Sequence, residues 1–206
     1  MTRHSVDAEQ QQDFHQFMLE DVERLDLLIN HLLDAARIDR GGDVADDELV
    51  HLDELLRQCG SAICIRYRLP EETVVLDSAP ILLQSRLIQL EILFRNLIDN
   101  AVKYAGSTPK VQIRVRLTDD QNVVVSIIDN GPGIPAKQRR KIFGRFIRLG
   151  NELERSTPGT GLGLYLVRNV VKSLKGSIRL QDREMGTGTE FEVTLCGVVP
   201  AETCGT

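Results

Sequence analysis

Asn96, Asn100 and Lys103 fall along one stripe of the segment LFRNLIDNAVKYA, Leu93 to Ala105. Two carboxamides and an ammonium aimed the same way offer an oxygen ligand for a hard cation and a positive charge for a phosphate. A solvated outer helix face would carry the same residues. Further on, the chain reads Asp129-Asn130-Gly131-Pro132-Gly133-Ile134-Pro135 directly after an apolar run. An acid at a strand end followed by glycines lets backbone approach a flat ligand, while the carboxylate accepts a hydrogen bond from an exocyclic amine. A turn with a satisfied aspartate reads the same way. Gly159-Thr160-Gly161-Leu162-Gly163-Leu164 then opens a helix. Its free amides and the positive end of the helix dipole suit an anion, most naturally phosphate, although a flexible loop and cap is the plainer alternative. The stretch lacks the Gly-Lys-Ser/Thr of a P-loop, and neither glycine run fits Gly-x-Gly-x-x-Gly with its acid about 20 residues on.

The elements that must hold these residues follow from periodicity. Leu90, Leu93, Phe94, Leu97, Ile98 and Ala101 recur at steps of three and four, which predicts an amphipathic helix from about Arg86 to Ala105. Val111 to Leu117 alternates apolar and polar residues as a half-buried strand, and Val123 to Ile128 is the continuous apolar run of a central strand. Asp119 to Asn122 joins them as a tight turn. Helices are expected at His51 to Ile65 and Leu162 to Leu174. Strands are expected at Ser177 to Gln181 and Thr189 to Leu195, around Gly186-Thr187-Gly188. The short runs Thr73 to Leu76 and Ile81 to Leu83 flank Asp77-Ser78-Ala79-Pro80 and predict a hairpin. Together these make an α+β fold, a two-layer sandwich of a mixed β-sheet with helices on one face.

Ahead of it, Met18, Val22, Leu25, Ile29, Leu32 and Ala36 form a heptad seam that Phe14, Leu28 and Leu33 widen, which suits a long helix in a bundle. An ordinary core helix of the same domain is the alternative. Gly41-Gly42 and the acidic run after them end that helix, so the domains are expected at 1–42 and 43–206.

Composition narrows the class. At 206 residues and 42% hydrophobic content the chain can bury a sizeable core. Its net charge of −5 and intermixed acids and bases, with no Lys/Arg run, disfavour nucleic acid or an anionic membrane as partner. Cys59, Cys64, Cys196 and Cys204 show no metal-ligand spacing, and free thiols in a reducing compartment are the simpler reading. No apolar run approaches the roughly 20 residues of a membrane span.

The three motifs in this order resemble the ATP-binding domain of sensor histidine kinases of two-component systems, within the ATPase superfamily that includes gyrase and the mismatch-repair ATPases. The resemblance covers about Leu52 to Leu195 and implies a Bergerat-type fold that binds ATP and Mg2+. It implies that Asn100 coordinates magnesium with Asn96 beside it, that Lys103 meets the phosphates, that Tyr104 lies against the nucleotide and that Asp129 takes the adenine amine. Gly131, Gly133 and Ile134 would shape that pocket. Gly159, Thr160, Gly161, Leu162, Gly163 and Leu164 would hold the phosphates, and Thr189 follows the family's last glycine turn. IFGRFIRLG is similar to the family's phenylalanine box, with Phe143 and Phe146 anchoring a lid over Asn151 to Pro158. Phe146 is then a nucleotide contact, and Arg145 and Arg148 are candidates for the γ-phosphate. Ser85-Arg86 and Gly144 depart from residues common in relatives.

LEDVERLDLLINHLLDAARID resembles the second helix of the family's dimerisation and phosphotransfer hairpin, implying a homodimer and a response regulator receiver domain as partners, in the cytoplasm. The family's acceptor lies in a box like His-Glu-x-Arg-Thr-Pro, and none of His4, His15, His31 and His51 stands in one. The alternatives are an ATP-hydrolysing relative, which would carry a glutamate where Asn96 stands, a serine kinase of the same superfamily, or a nucleotide-dead scaffold.

Overall fold

Alternation along the chain sets two sheets. The computed structural model describes residues 47–118, 121–148, 159–184 and 186–199, together with Ile29, Leu33, Asp34 and Ala36. The elements are β1 (Glu48–His51), α1 (Leu52–Tyr67), β2 (Val74–Asp77), β3 (Leu82–Ser85), α2 (Leu87–Tyr104), β4 (Val111–Leu117), β5 (Val123–Ile128), α3 (Gly163–Ser173), β6 (Ser177–Asp182), β7 (Thr189–Leu195) and β8 (Val198–Val199). The main sheet runs β2-β4-β5-β7-β6. Within it β2 is parallel to β4 and the remaining pairs are antiparallel, so the sheet is mixed.

Position in the sheet explains each strand's composition. Central β5 is buried on both faces, as its unbroken apolar run requires. Neighbouring β4 turns Val111 and Ile113 inward and leaves Gln112 and Arg114 partly exposed. The inward residues meet one apolar layer built from Leu52, Leu56 and Ile63 of α1, Leu93 and Phe94 of α2 and Val167 of α3. The opposite face carries Arg114, Arg116 and Glu192, and Arg116 Nη2 lies 3.4 Å from Glu192 Oε2. The α+β sandwich is therefore the one expected, and no helix among the described residues is long and apolar enough to cross a membrane.

The expected hairpin at Asp77 to Pro80 does not form. β2 pairs with β4, Val74 opposite Val111, whereas β3 pairs with β1 and β8 in a separate three-stranded sheet. Hydrogen bonding accounts for the divergence. The Ile81 carbonyl accepts the Leu52 amide at 2.9 Å, which draws the chain after the turn to the start of α1 instead of back along β2. With only four residues each, neither strand has enough pairing surface to compete.

Backbone geometry fixes where α1 ends. Arg68 adopts the left-handed conformation, φ 54°, and Leu69 N bonds Cys64 O at 2.9 Å. This closes α1 immediately after Arg66 and Tyr67. Most of the heptad helix, the boundary at residue 42, the lid from Asn151 to Pro158 and Cys204 lie outside the described residues. Ile29, Leu33, Asp34 and Ala36 are helical. Of these, Asp34 is buried and its Oδ2 accepts Arg95 Nη2 of α2 at 3.1 Å, while Ile29, Leu33 and Ala36 are exposed.

Candidate functional site

A cavity of about 290 Å³ opens between α2, the end of β5 and the start of α3. The amphipathic pattern of α2 places it: one stripe is locked in the core, so Asn96, Asp99, Asn100, Lys103 and Tyr104 line the cavity. Asn96 Nδ2 donates to Ile92 O at 2.8 Å, which leaves its Oδ1 turned toward α3.

The Gly-x-Gly-x-Gly stretch meets that stripe atom by atom. A Cβ on Gly159 would lie 2.9 Å from Lys103 Nζ, and one on Gly163 would lie 2.8 Å from Asn96 Oδ1 and 3.8 Å from Asn100 Nδ2. Between them, a Cβ on Gly161 would come within 2.7 Å of the Phe146 backbone. Only residues without side chains let the turn close over the helix this tightly. Substituting Gly163 by alanine is accordingly expected to push the Asn96 carboxamide aside and to weaken phosphate-end binding about tenfold, a change that titration with a non-hydrolysable ATP analogue would measure.

The far end of the cavity is built on Asp129, which is 4% exposed. Its Oδ1 accepts the amides of Gly131 at 2.8 Å and Thr189 at 3.0 Å, and its own amide donates to Thr189 O at 2.9 Å. Burial pushes the carboxyl above its ordinary range, while the hydrogen bonds from Gly131 and Thr189 and the nearby Arg183 charge pull it back. Pro132, Ile134, Ile142, Ile147 and Phe191 supply flat apolar walls between the two ends. Phe143 stacks edge-on against Phe191, ring centroids 6.5 Å apart, and so supports that wall from behind.

Lys103 is half-buried, and desolvation lowers its pKa. Arg148 and Arg66 add to the fall and Asp99 opposes it. Arg148 lines the cavity beside Gly159, its Nε 4.0 Å from the position of a Cβ there.

The cavity thus gathers Asn96, Asn100, Lys103, Tyr104, Asp129, Gly133, Ile134 and Arg148, together with Gly159, Thr160, Gly161, Gly163, Leu164 and Thr189. Four expected contacts are not part of its lining. Arg145 Nη2 donates to Tyr165 Oη at 2.5 Å and its guanidinium stacks 4.6 Å from that ring, which holds it against α3. Phe146 is 67% exposed, and its backbone, not its ring, meets the glycine turn. Gly131 serves the Asp129 turn: a Cβ there would lie 2.5 Å from Tyr104 O. Leu162 caps α3, its amide donating to Thr160 Oγ1 at 3.2 Å. Asp99 and the apolar walls other than Ile134 were not anticipated. Asp99 was visible in the pattern, three residues after Asn96 and four before Lys103 on the same stripe.

Apolar walls that end on a buried carboxylate suit a base carrying an exocyclic amine, and the cationic end under a glycine turn suits a polyphosphate. The class so defined is an α+β nucleotide-binding domain. Residues 86–197 match the family model described as histidine kinase-, DNA gyrase B-, and HSP90-like ATPase, and the chain belongs to that family, whose domains bind ATP. It is similar to the sensor protein KdpD of Escherichia coli K12, 36% identical over 174 residues that cover 82% of this chain and 18% of that protein. It is also similar to the histidine-protein kinase/phosphatase MprB of Mycolicibacterium paratuberculosis K-10, 33% identical over 183 residues, 87% of this chain and 34% of that one. The chain therefore spans about a third or less of the length of these relatives. Among solved structures, a mycobacterial sensor histidine kinase MprB superposes with a TM-score of 0.62 at 28% identity, covering 73% of this chain and 97% of that one. Full-length ShkA in complex with AMPPNP superposes with a TM-score of 0.69 at 25% identity, covering 96% and 41%. These likenesses make residues 86–197 an ATP-binding catalytic domain of the sensor histidine kinase type.

Proposed function

We propose that the chain binds Mg-ATP and transfers its γ-phosphoryl group to a histidine on a dimerisation hairpin, for relay to an aspartate of a response regulator receiver domain. The observation that carries this reading is the closure of the Gly159 to Gly163 turn onto Lys103, Asn96 and Asn100 at one end of a cavity whose other end is Asp129. Asp129 takes the adenine amine, and Ile134 and Phe191 hold the ring. Lys103 and Arg148 meet the phosphates at the glycine turn, and Arg145 would join them only by leaving Tyr165. The AMPPNP complex of ShkA supports the nucleotide class.

The donor set fits magnesium. Among the described residues no three His, Cys, Asp or Glu side chains gather to hold a metal. A small hard cation that keeps several waters and borrows phosphate oxygens needs only the Asn100 carboxamide and Asn96 Oδ1 next to it. Bound there, magnesium would neutralise charge that develops on the transferring group. The position where an ATP-hydrolysing relative would carry its glutamate is Asn96, an uncharged carboxamide bonded through Nδ2 to Ile92 O, which cannot itself serve as a base.

On this reading residues 1–42 carry the partial dimerisation and phosphotransfer helix and residues 43–206 the catalytic domain, of a protein that forms a cytoplasmic homodimer through its helical hairpin. Ile29, Leu33 and Ala36 support this, because they lie at helical steps of four and three and are exposed. With radiolabelled ATP and an added dimeric hairpin bearing a His-Glu-x-Arg-Thr-Pro box, acid-labile label is expected on the hairpin and none on the chain itself. An unlabelled hairpin in the presence of bound nucleotide would refute the transfer step, and label on the chain alone would place the acceptor here.

A further inference from the structure

Two carboxylates line the cavity among its described residues, Asp129 at the base end and Asp99 on the phosphate-binding helix. Asp99 stands one residue before Asn100 and one turn before Lys103. It does not hang free. Tyr67 Oη donates to Asp99 Oδ1 at 2.9 Å, and Arg66 Nη1 approaches the same oxygen at 3.5 Å. Both contacts come from the last turn of α1, which the left-handed Arg68 fixes in place. Burial and the neighbouring Asp99 charge push the Tyr67 hydroxyl well above its ordinary range, so it remains a donor. Both contacts fall on Oδ1, and the residue is part of the cavity lining.

We propose that Asp99, held by Tyr67 and Arg66, is the carboxylate that makes nucleotide binding depend on a divalent cation. The inference rests on the proposed nucleotide function and deepens it. A polyphosphate brought to this end of the cavity without metal faces a fixed negative charge, and the repulsion lowers its affinity. A divalent cation between them reverses the sign, since carboxylate and phosphate oxygens are both ligands that a hard cation favours, directly or through water. Lys103 and Arg148 attract phosphate with or without metal, so metal-free binding stays measurable and the effect appears as a coupling between two ligands. Tyr67 is then a positioning residue: it aims the carboxylate and touches neither ligand.

The test is calorimetric titration of the whole chain with a non-hydrolysable ATP analogue, in magnesium and in EDTA, with adenosine binding followed by NMR as a reference for the base end. Wild type is expected to bind more tightly in magnesium. In Asp99→Asn that ratio should fall by roughly tenfold, chiefly because metal-free affinity rises, with adenosine binding unchanged. Tyr67→Phe should move the ratio the same way by less, and add nothing in the Asp99→Asn background. Asp99→Glu, which keeps the charge, should retain most of the coupling. An Asp99→Asn chain with wild-type coupling overturns the assignment, as does loss of adenosine binding in it, which would make Asp99 structural. A wild-type chain that binds the analogue in neither condition overturns the nucleotide reading instead.

Discussion

Asp129→Asn is expected to weaken binding of a non-hydrolysable ATP analogue by roughly 100-fold while the domain stays folded. Asparagine is close to the same shape, and its single side-chain oxygen can go on accepting the amides of Gly131 and Thr189, which now converge on Asp129 Oδ1. The strand end therefore keeps its geometry. What changes is the other end of the group, where an oxygen becomes an NH2 and a ligand amine would meet a donor in place of an acceptor. At a group only 4% exposed, water does little to satisfy the unmatched pair.

Stability should move the other way. Burial raises the Asp129 carboxyl above its ordinary 3.8. Just above that pH the folded chain therefore holds a proton that the unfolded chain has released, and stability declines as pH rises through the native value. The asparagine variant has no such group, so this acid-side decline should be absent from its melting curves. Unchanged affinity in the variant would remove Asp129 from the base end of the site.

The long elements were legible because their periods are long enough to count. Eighteen residues of α2 repeat the apolar stripe several times, and the polar stripe that carries Asn96, Asn100 and Lys103 follows from it by rotation alone. β4 and β5 are legible for the same reason. The failures are where no period exists. The four-residue runs β2 and β3 look like hairpin partners in sequence, yet a backbone bond from Leu52 to Ile81, twenty-nine residues apart, decides the matter. β1 and β8 went unseen because four and two residues carry no usable pattern. In the loop after β5, residue type does not encode direction, so neither the Arg145 bond to Tyr165 nor the exposure of the Phe146 ring could be read from the chain. Asp99 lay on the legible stripe, but its significance depends on Tyr67, which only the packing of α1 on α2 brings to it.

Gly188 and Gly186 stand two residues apart in one turn and should respond very differently to alanine. Both have positive φ, 146° and 85°, so each substitution meets some backbone strain. Around Gly186 that is all, because a Cβ there finds nothing within 4 Å among the described residues. At Gly188 a Cβ would lie 2.0 Å from the carbonyl oxygen of Asp129, which is backbone and cannot swing aside. Relief requires β5 and β7 to part where Asp129 N bonds Thr189 O and Thr189 N bonds the Asp129 carboxylate. Gly186→Ala is expected to cost about 1 kcal/mol. Gly188→Ala should cost upwards of about 3 kcal/mol, strain and clash together. Urea midpoints at constant slope would give both values. The same displacement should cost Gly188→Ala its nucleotide binding even under conditions where it remains folded, since the carboxylate moves with its backbone, while Gly186→Ala binds as wild type does. Equal midpoints for the two variants would mean that the turn does not press on Asp129, and the route by which the last glycine turn shapes the base end would have to be sought elsewhere.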